Sequence, residues 1–541
     1  MATREILTIQ LGHYANFVGT HWWNLQETNF SYDPQNPSEF NPEVLYRVAD
    51  VGNKVTSTPR LLLADLKGTL GYLSEEGNYS ELVQANVNQE PEILWEENRL
   101  ETTVQPPAQK SAFVKSLESG ESNEGVEFDF ENETKSWVDY LIPRFHSRTV
   151  NVITEYEHGS TSQPFDLFPY GQSLWKRSAF SEDFADKIRV YVEECDLMQG
   201  FQVLFDTDDG FSGLGAACIQ HLRDEYGKSI LTWPVLDSTP REKSISDYAK
   251  AINTVLCWHN IGENTSLFSP LSCGTNGWLT PGKPRALENI TYRSDLKYHT
   301  SALLATALDT LSLRYRHKKY TMSALSDLCA DLNKLGRKAV ATSLSLPFPM
   351  VEKQDLIDML DDLDGGCPWV SLTPSCNIGM DNAMQSLALR GVPESRLKRP
   401  MQEAQDQMIK PAYKCSSVHE MLSLYINCSW YSTGTYLTTA EQPLKIKNPY
   451  PKIFNSNILE NGDSSRNKSR ESNVNSVPVM AGLHSGNFMA KMYESLHDQV
   501  KKVRNLNKFH AFVDSGIEQD EFMESVHNLL DCKESYEDHD A

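Results

Sequence analysis

Short apolar strands that run into glycine-bearing loops and then into helices recur along this chain, and that alternation leaves few folds open. Glu5 to Gln10 reads as a strand, followed by the loop Leu11-Gly12-His13-Tyr14-Ala15-Asn16-Phe17-Val18-Gly19 and a helix carrying Trp22 and Trp23. A second strand follows at Arg60-Leu-Leu-Leu-Ala-Asp65. The pattern returns after Val150: a helix from Glu182 to Asp196 places Phe184, Ile188, Tyr191 and Cys195 on one stripe. Next come a strand from Phe201 to Phe205, a Gly-rich turn, a helix from about Gly213 to Tyr226 and a strand from Ser229 to Leu236. Strands joined by helices must run parallel and be covered on both faces, so the predicted class is α/β with an N-terminal parallel sheet.

The same reading divides the chain. Residues 1–260 form the N-terminal domain, interrupted from about 73 to 134 by a stretch of Glu, Asn, Ser and Gly whose apolar surface is too small to offset the entropy of ordering. Residues 261–340 form a central segment, helical over 296–335. Residues 341–480 form a second α/β domain, opening at Val340 to Met350 and holding an Asn-, Ser- and Arg-rich loop at about 455–475 that is expected to be mobile. In 481–541, Phe488, Met492, Leu496, Val500 and Val503 mark a long amphipathic helix, with a second short helix and an acidic tail to follow.

Composition excludes some functions. A formal charge of -23 argues against nucleic acid or anionic lipid as the main partner, since both reward a basic surface. The ten cysteines stand singly, without the CxxC spacing of zinc or redox sites, and are expected as reduced thiols. The N-terminus lacks the basic head and continuous apolar stretch of a secretory signal and is not Arg-rich like a transit peptide, which points to the cytosol. Asn29-Phe-Ser and Asn264-Thr-Ser are then chance sequons. The longest apolar stretch, Ser301 to Leu313, is interrupted by Asp309 and is too short to span a bilayer; it reads as a buried helix.

Three loops at strand ends raise the functional question, because ligands of open parallel sheets sit outside the carboxyl ends of the strands, against helix N-termini. In the first, Gly12 and Gly19 would let backbone approach a phosphate, and a tight strand-to-helix turn explains them equally well. The second, Asp206-Thr-Asp-Asp-Gly-Phe-Ser-Gly-Leu-Gly215, sets three carboxylates where a phosphate cradle needs neutral or cationic groups; a divalent cation is the alternative. The third, Ala64-Asp65-Leu66-Lys67-Gly68-Thr69, is a strand end with an exposed Lys, or an ordinary turn.

These segments resemble tubulins. Arg4-Glu5-Ile6, Ile9-Gln10, Gly12, Asn16, Val18-Gly19 and Trp23 are similar to the opening of a tubulin, and Pro59-Arg60-Leu61 with Asp65-Leu66 and Gly68-Thr69 to the strand and loop after it. Gln199-Gly-Phe-Gln202, Ser212-Gly-Leu-Gly215 and Arg223-Asp-Glu-Tyr226 resemble the segment around the tubulin signature loop. His510, Phe512-Val513, Gly516-Ile-Glu518 and Glu521-Phe522 resemble the stretch between its last helices. More closely, Trp22-Trp-Asn24, Ala64-Asp-Leu-Lys-Gly68, Tyr191-Val-Glu-Glu-Cys-Asp196 and Asp209-Gly-Phe-Ser-Gly213 resemble the Misato family, a tubulin-like branch. The resemblance covers both ends and the middle, and it implies a tubulin/FtsZ-like fold: a parallel-sheet domain of nucleotide-binding type, a second α/β domain and C-terminal helices.

Departures from tubulin bear on mechanism. Asp208 and Asp209 stand where the signature loop has glycines, beside Gly210, Ser212, Gly213 and Gly215 that match it. Carboxylates about 4 Å from a triphosphate would repel it by several kcal/mol unless a metal neutralised them. Lys67 replaces the acid that in tubulins helps hold magnesium, and His13, Tyr14 and Phe17 are bulkier than the nucleotide-contacting positions of the first loop, where Gly12 and Asn16 are retained. The Asn-x-Asp pattern of the tubulin catalytic loop has no counterpart near Tyr320 to Leu328. The expectation is a non-enzymatic protein with a degenerate nucleotide-type site, no metal and no required cofactor, while Lys67 keeps weak GTP binding open. The alternative is a filament-forming GTPase. What the Misato resemblance implies is a role in mitochondrial distribution, morphology and fusion, with a link to microtubules. It also implies a place in the cytoplasm and on the cytoplasmic face of the mitochondrial outer membrane, with tubulin, chaperonin components or outer-membrane proteins as partners.

Overall fold

In the computed structural model the described residues are 4–30, 37–51, 54–75, 77, 109–120, 126–177, 179–320, 323–379, 382–398, 411–430, 432–470, 472–503 and 505–537. Most of the expected insertion, including 78–108 and 121–125, lies outside them.

The chain opens with β1 (Ile6–Leu11) and α1 (His13–Asn29), then a hairpin of β2 (Tyr46–Val51) and β3 (Lys54–Pro59), then β4 (Leu61–Lys67). The hairpin was not expected. After the short helix α2 (Ala112–Ser119) come β5 (Val150–Glu157), α3 (Phe168–Arg177), α4 (Ala179–Glu193), β6 (Gly200–Asp206), α5 (Gly210–Tyr226), β7 (Ser229–Val235), α6 (Ser246–Asn264) and β8 (Leu267–Phe268). The six strands β5-β4-β1-β6-β7-β8 make one sheet in which every pairing is parallel. Ile6-Leu-Thr-Ile-Gln-Leu11 is buried at every position because helices cover both faces.

The central segment is α7 (Lys297–Leu311), one further turn at Leu313–Arg316, and α8 (Leu325–Leu332). Tyr298 to Leu311 are all buried, so the apolar run read from the sequence is the axis of the molecule, packed between α1 on one side and the second sheet on the other. Asp309 inside it is paired to Arg316 and Arg390. Among the described residues no helix is long and apolar enough to cross a membrane.

The second domain contains β9 (Ala341–Ser345), α9 (Leu356–Leu363), β10 (Val370–Ser371), β11 (Asn382–Arg390), α10 (Val418–Ser429), β12 (Ser432–Ala440), a small pair of β13 (Leu444–Lys445) and β14 (Ser476–Val477), and β15 (Val479–Ser485). Its sheet, β10-β9-β15-β11-β12, is mixed: β11 runs parallel to β12 and antiparallel to β15. The stretch 455–475 is anchored by the buried side chains of Ile458 and Val474 and by hydrogen bonds. Arg470 donates to the carbonyls of Asn455 and Phe454 at 2.7 and 2.8 Å, and Arg396 clasps Asp463 at 2.7 and 2.8 Å.

The C-terminal helices are α11 (Phe488–Val500) and α12 (Gln519–Glu537), which pack on the outer face of the first sheet beside α6. A short helix, His510–Asp514, follows α11, and α12 takes up the stretch read as an acidic tail as far as Glu537. The acidic residues of α12 belong to the helix itself, since Phe522, Val526, Leu529 and Tyr536 form a buried stripe at helical spacing and leave the carboxylates to solvent.

Candidate functional site

The three loops singled out in the sequence do meet: β1, β4 and β6 are adjacent and parallel, so Gly12, Lys67 and Asp206 end at one edge of the sheet. Gly12 takes φ 116°, a conformation L side chains rarely adopt, and turns the chain from β1 into α1. As the N-cap of α1 it has no side chain to satisfy the first N–H groups of the helix. Asp206, the last residue of the neighbouring strand β6, supplies the missing acceptor. The N–H of Tyr14 donates to its Oδ2 at 2.9 Å and that of Ala15 to its Oδ1 at 2.7 Å, and a Cβ at Gly12 would lie 2.5 Å from the same Oδ2. The position an anion would take at the start of α1 is therefore filled by the chain's own Asp206 carboxyl group.

The N-terminus of α5 is filled in the same way. Asp209 is its N-cap, accepting from the N–H of Phe211 at 2.9 Å, and the Ser212 hydroxyl donates to the Asp209 carbonyl. Capping starts the helix at Gly210, three residues before the expected start. Asp208 pairs with Lys250 of α6 at 3.2 Å, and Asn253 donates to the Asp208 carbonyl at 3.0 Å while accepting from the N–H of Phe168 at 2.8 Å. The glycines after Asp209 let helices pack closely. A Cβ at Gly213 would come within 1.8 Å of the Phe168 carbonyl oxygen of α3, one at Gly215 within 2.8 Å of the Phe205 ring, and one at Gly210 within 2.8 Å of the Phe165 ring.

Three carboxyls this close strain one another. Burial, followed by the charges of Asp209 and Asp208, pushes the Asp206 carboxyl well above the ordinary range against the pull of its two N–H donors. Burial and then Asp208 push Asp209 up to about 8. Asp208 in turn raises the Lys250 ammonium. Among the described residues no group of His, Cys, Asp and Glu is placed to hold a metal ion.

At the end of β4, Asp65 is fully buried and Lys67 is exposed. Asp65 accepts from the N–H of Leu66 at 2.8 Å, from Asn16 Nδ2 at 3.2 Å and from Trp137 Nε1 at 2.8 Å, and lies 3.3 Å from His13 Nδ1. Burial works to raise it, but His13, Leu66 and Trp137 more than offset that and hold it below its ordinary value. The His13 ring lies against His158 with centroids 4.3 Å apart. Tyr14 turns inward, its hydroxyl donating to Thr300 of α7 at 2.9 Å, and Phe17 packs beside His13 and Tyr140. The bulky residues of the first loop thus fill the space between α1, α7 and the 3-10 turn Trp137–Tyr140.

Sequence reasoning named Gly12, His13, Tyr14, Asn16, Lys67, Asp208, Asp209, Gly210, Ser212, Gly213 and Gly215, and all stand on the three loops that converge here, Lys67 pointing to solvent. It treated Asp206 only as one of three loop acids and passed over Trp137, His158, Lys250 and Asn253. A lone acid closing the apolar strand Leu61 to Leu66 was a legible sign of Asp65; nothing local marks Trp137 or Asn253.

A parallel sheet with two helix N-termini at its carboxyl edge, a central buried helix and a second mixed-sheet domain define the tubulin-like class, and family comparison agrees: residues 4–119 match the Misato Segment II tubulin-like domain and residues 130–317 the tubulin domain. The chain is 36% identical to Protein misato of Drosophila melanogaster, 33% to Protein misato homolog 1 of Mus musculus and 31% to that of Homo sapiens, in each case over 99% of both chains. It belongs to the Misato family.

Proposed function

We propose that this chain is a non-enzymatic tubulin-like protein that acts through its surfaces. It takes part in mitochondrial distribution, morphology and fusion and in microtubule organisation, from the cytoplasm and the cytoplasmic face of the mitochondrial outer membrane, with tubulin, chaperonin components and outer-membrane proteins as partners. The observation that carries the non-enzymatic reading is the Asp206 carboxylate on the N–H groups of Tyr14 and Ala15. A phosphate would have to displace it from those two N–H groups before it could bind there. The cellular role rests on the Misato resemblance.

One observation favours the alternative of a GTP-binding, filament-forming GTPase. Asp209, pushed up to about 8, is mainly uncharged near neutrality and repels a triphosphate less than its composition suggests.

Binding of labelled GTP with magnesium decides between them, comparing wild type with Asp206→Gly and with Asp208→Gly/Asp209→Gly. Wild type is expected to show no saturable binding, whether or not a variant gains it. Tight wild-type binding with turnover would put the GTPase first.

A further inference from the structure

On the second domain, remote in sequence from the carboxylate loops, lies a pocket of about 460 Å³. Its walls include Ile446, Lys447, Tyr450, Lys452, Phe454 and Arg470. The charged residues among its described lining are Lys447, Lys452 and Arg470, so the pocket is cationic in a chain of net charge -23. Tyr450 and Phe454 stack on each other, centroids 6.2 Å apart, and both are buried, which gives the pocket an apolar floor and little free ring face for a base. Arg470 is committed to main-chain carbonyls and shapes the wall. Lys447 is exposed and, among the described residues, meets no carboxylate.

The chain itself shows what suits this rim. Val126 and Glu127, from the acidic stretch Glu118 to Glu133, lie against it: the Val126 carbonyl accepts from Asn448 Nδ2 at 3.1 Å, and Glu127 pairs with Lys452 at 2.6 Å. An aliphatic residue beside an acid thus meets one amide and one ammonium, and among the described residues no carboxylate meets Lys447. Glu127 is 77% exposed and its partner 49%, so the pair is loosely held and displaceable.

We infer that this pocket is a docking site for a short acidic peptide of a partner protein, whose carboxylates engage Lys447 and Lys452 and whose main chain takes the place of Val126 on Asn448. Glu127 is the intramolecular competitor at Lys452. The site is independent of the carboxylate loops and of any nucleotide.

Fluorescence anisotropy of a fluorescein-labelled Glu-rich peptide on the full chain tests this. Wild type is expected to bind in a salt-sensitive way, Lys447→Glu/Lys452→Glu to bind at least about tenfold more weakly, and Glu127→Ala about two- to threefold more tightly. Because both lysines point to solvent, unfolding midpoints of the variants serve as the folding control, and Lys447→Arg/Lys452→Arg is expected to keep binding. Equal binding by wild type and the Glu variant would overturn the proposal. So would displacement of the peptide by inorganic phosphate at matched ionic strength, which would mark a simple anion site, or an unchanged affinity in Glu127→Ala.

Discussion

A buried ion cluster joins the two domains. Asp309 of α7 is fully buried and serves two guanidinium groups: Arg390 of β11 donates to its Oδ2 at 2.5 Å and Arg316 to its Oδ1 at 2.9 Å, with Gln26 of α1 adding a bond to Oδ1 at 2.5 Å. Arg390 also reaches Asn29 of α1 at 3.3 Å and the Pro443 carbonyl at 3.1 Å, and both arginines lie over the Phe40 ring. Breaking one buried pair destabilises by about 3–5 kcal/mol, because the partner is left charged and dry. Asp309→Leu strands two cations and is expected at the upper end, about 5 kcal/mol. Arg390→Met leaves Asp309 still paired with Arg316 and is expected near the lower end, about 3 kcal/mol. Replacing all three together, Asp309→Leu/Arg316→Met/Arg390→Met, removes every stranded charge and should return to within about 2 kcal/mol of wild type. Urea unfolding followed by tryptophan fluorescence reads the order of the midpoints. An Asp309→Leu midpoint no lower than that of Arg390→Met, or a triple variant as unstable as the worst single, would refute the claim that this carboxylate neutralises both arginines.

Two further outcomes are expected. The folded chain keeps a proton on Asp209 up to about 8 that the unfolded chain releases near the ordinary value of 3.8, so this stabilisation is complete below the unfolded value and is lost as pH rises towards 8. Wild-type stability should therefore fall relative to Asp209→Asn by up to about 1.4 kcal/mol per pH unit in that window, and parallel pH profiles of the two unfolding midpoints would rule the shift out. Gly213→Ala forces a methyl to within 1.8 Å of the Phe168 carbonyl oxygen, and with α3 and α5 both fixed the loss should be about 3 kcal/mol; a thermal midpoint equal to wild type would show that the helices do not cross this closely.

The first sheet was readable because its strands are short, apolar and buried on both faces, which leaves a signal of continuous hydrophobicity bounded by turns. Ile6 to Leu11, Leu61 to Lys67, Gly200 to Asp206 and Ser229 to Val235 each fall within two residues of the expected ends. Where buried polar residues interrupt the pattern, it failed. β11 carries Gln385, Ser386 and Arg390 inward, each answered by a partner far away in sequence, and α6 buries Asp247, Asn253 and Thr254 to hold the loops of β6 and the turn before it. Those side chains look like surface residues until their partners are known.

The candidate site was legible in its loops and illegible in its logic. From the sequence, Asp208 and Asp209 read as charges intruding on a phosphate cradle, which treats the cradle as present and spoiled. The structure shows a cradle that is satisfied. Each helix N-terminus that would receive a phosphate has a carboxyl group of its own, Asp206 for α1 and Asp209 for α5, and the former comes from a residue 192 positions away from Tyr14 along the chain. An N-terminus capped from a neighbouring strand stabilises the fold without any ligand, whereas an empty cradle would leave buried N–H groups unpaired at about 1–3 kcal/mol each. Nucleotide is therefore not needed to complete this sheet edge. Asp206→Gly probes that closure directly, since removing the Asp206 carboxyl frees the N–H groups of Tyr14 and Ala15 for an incoming anion.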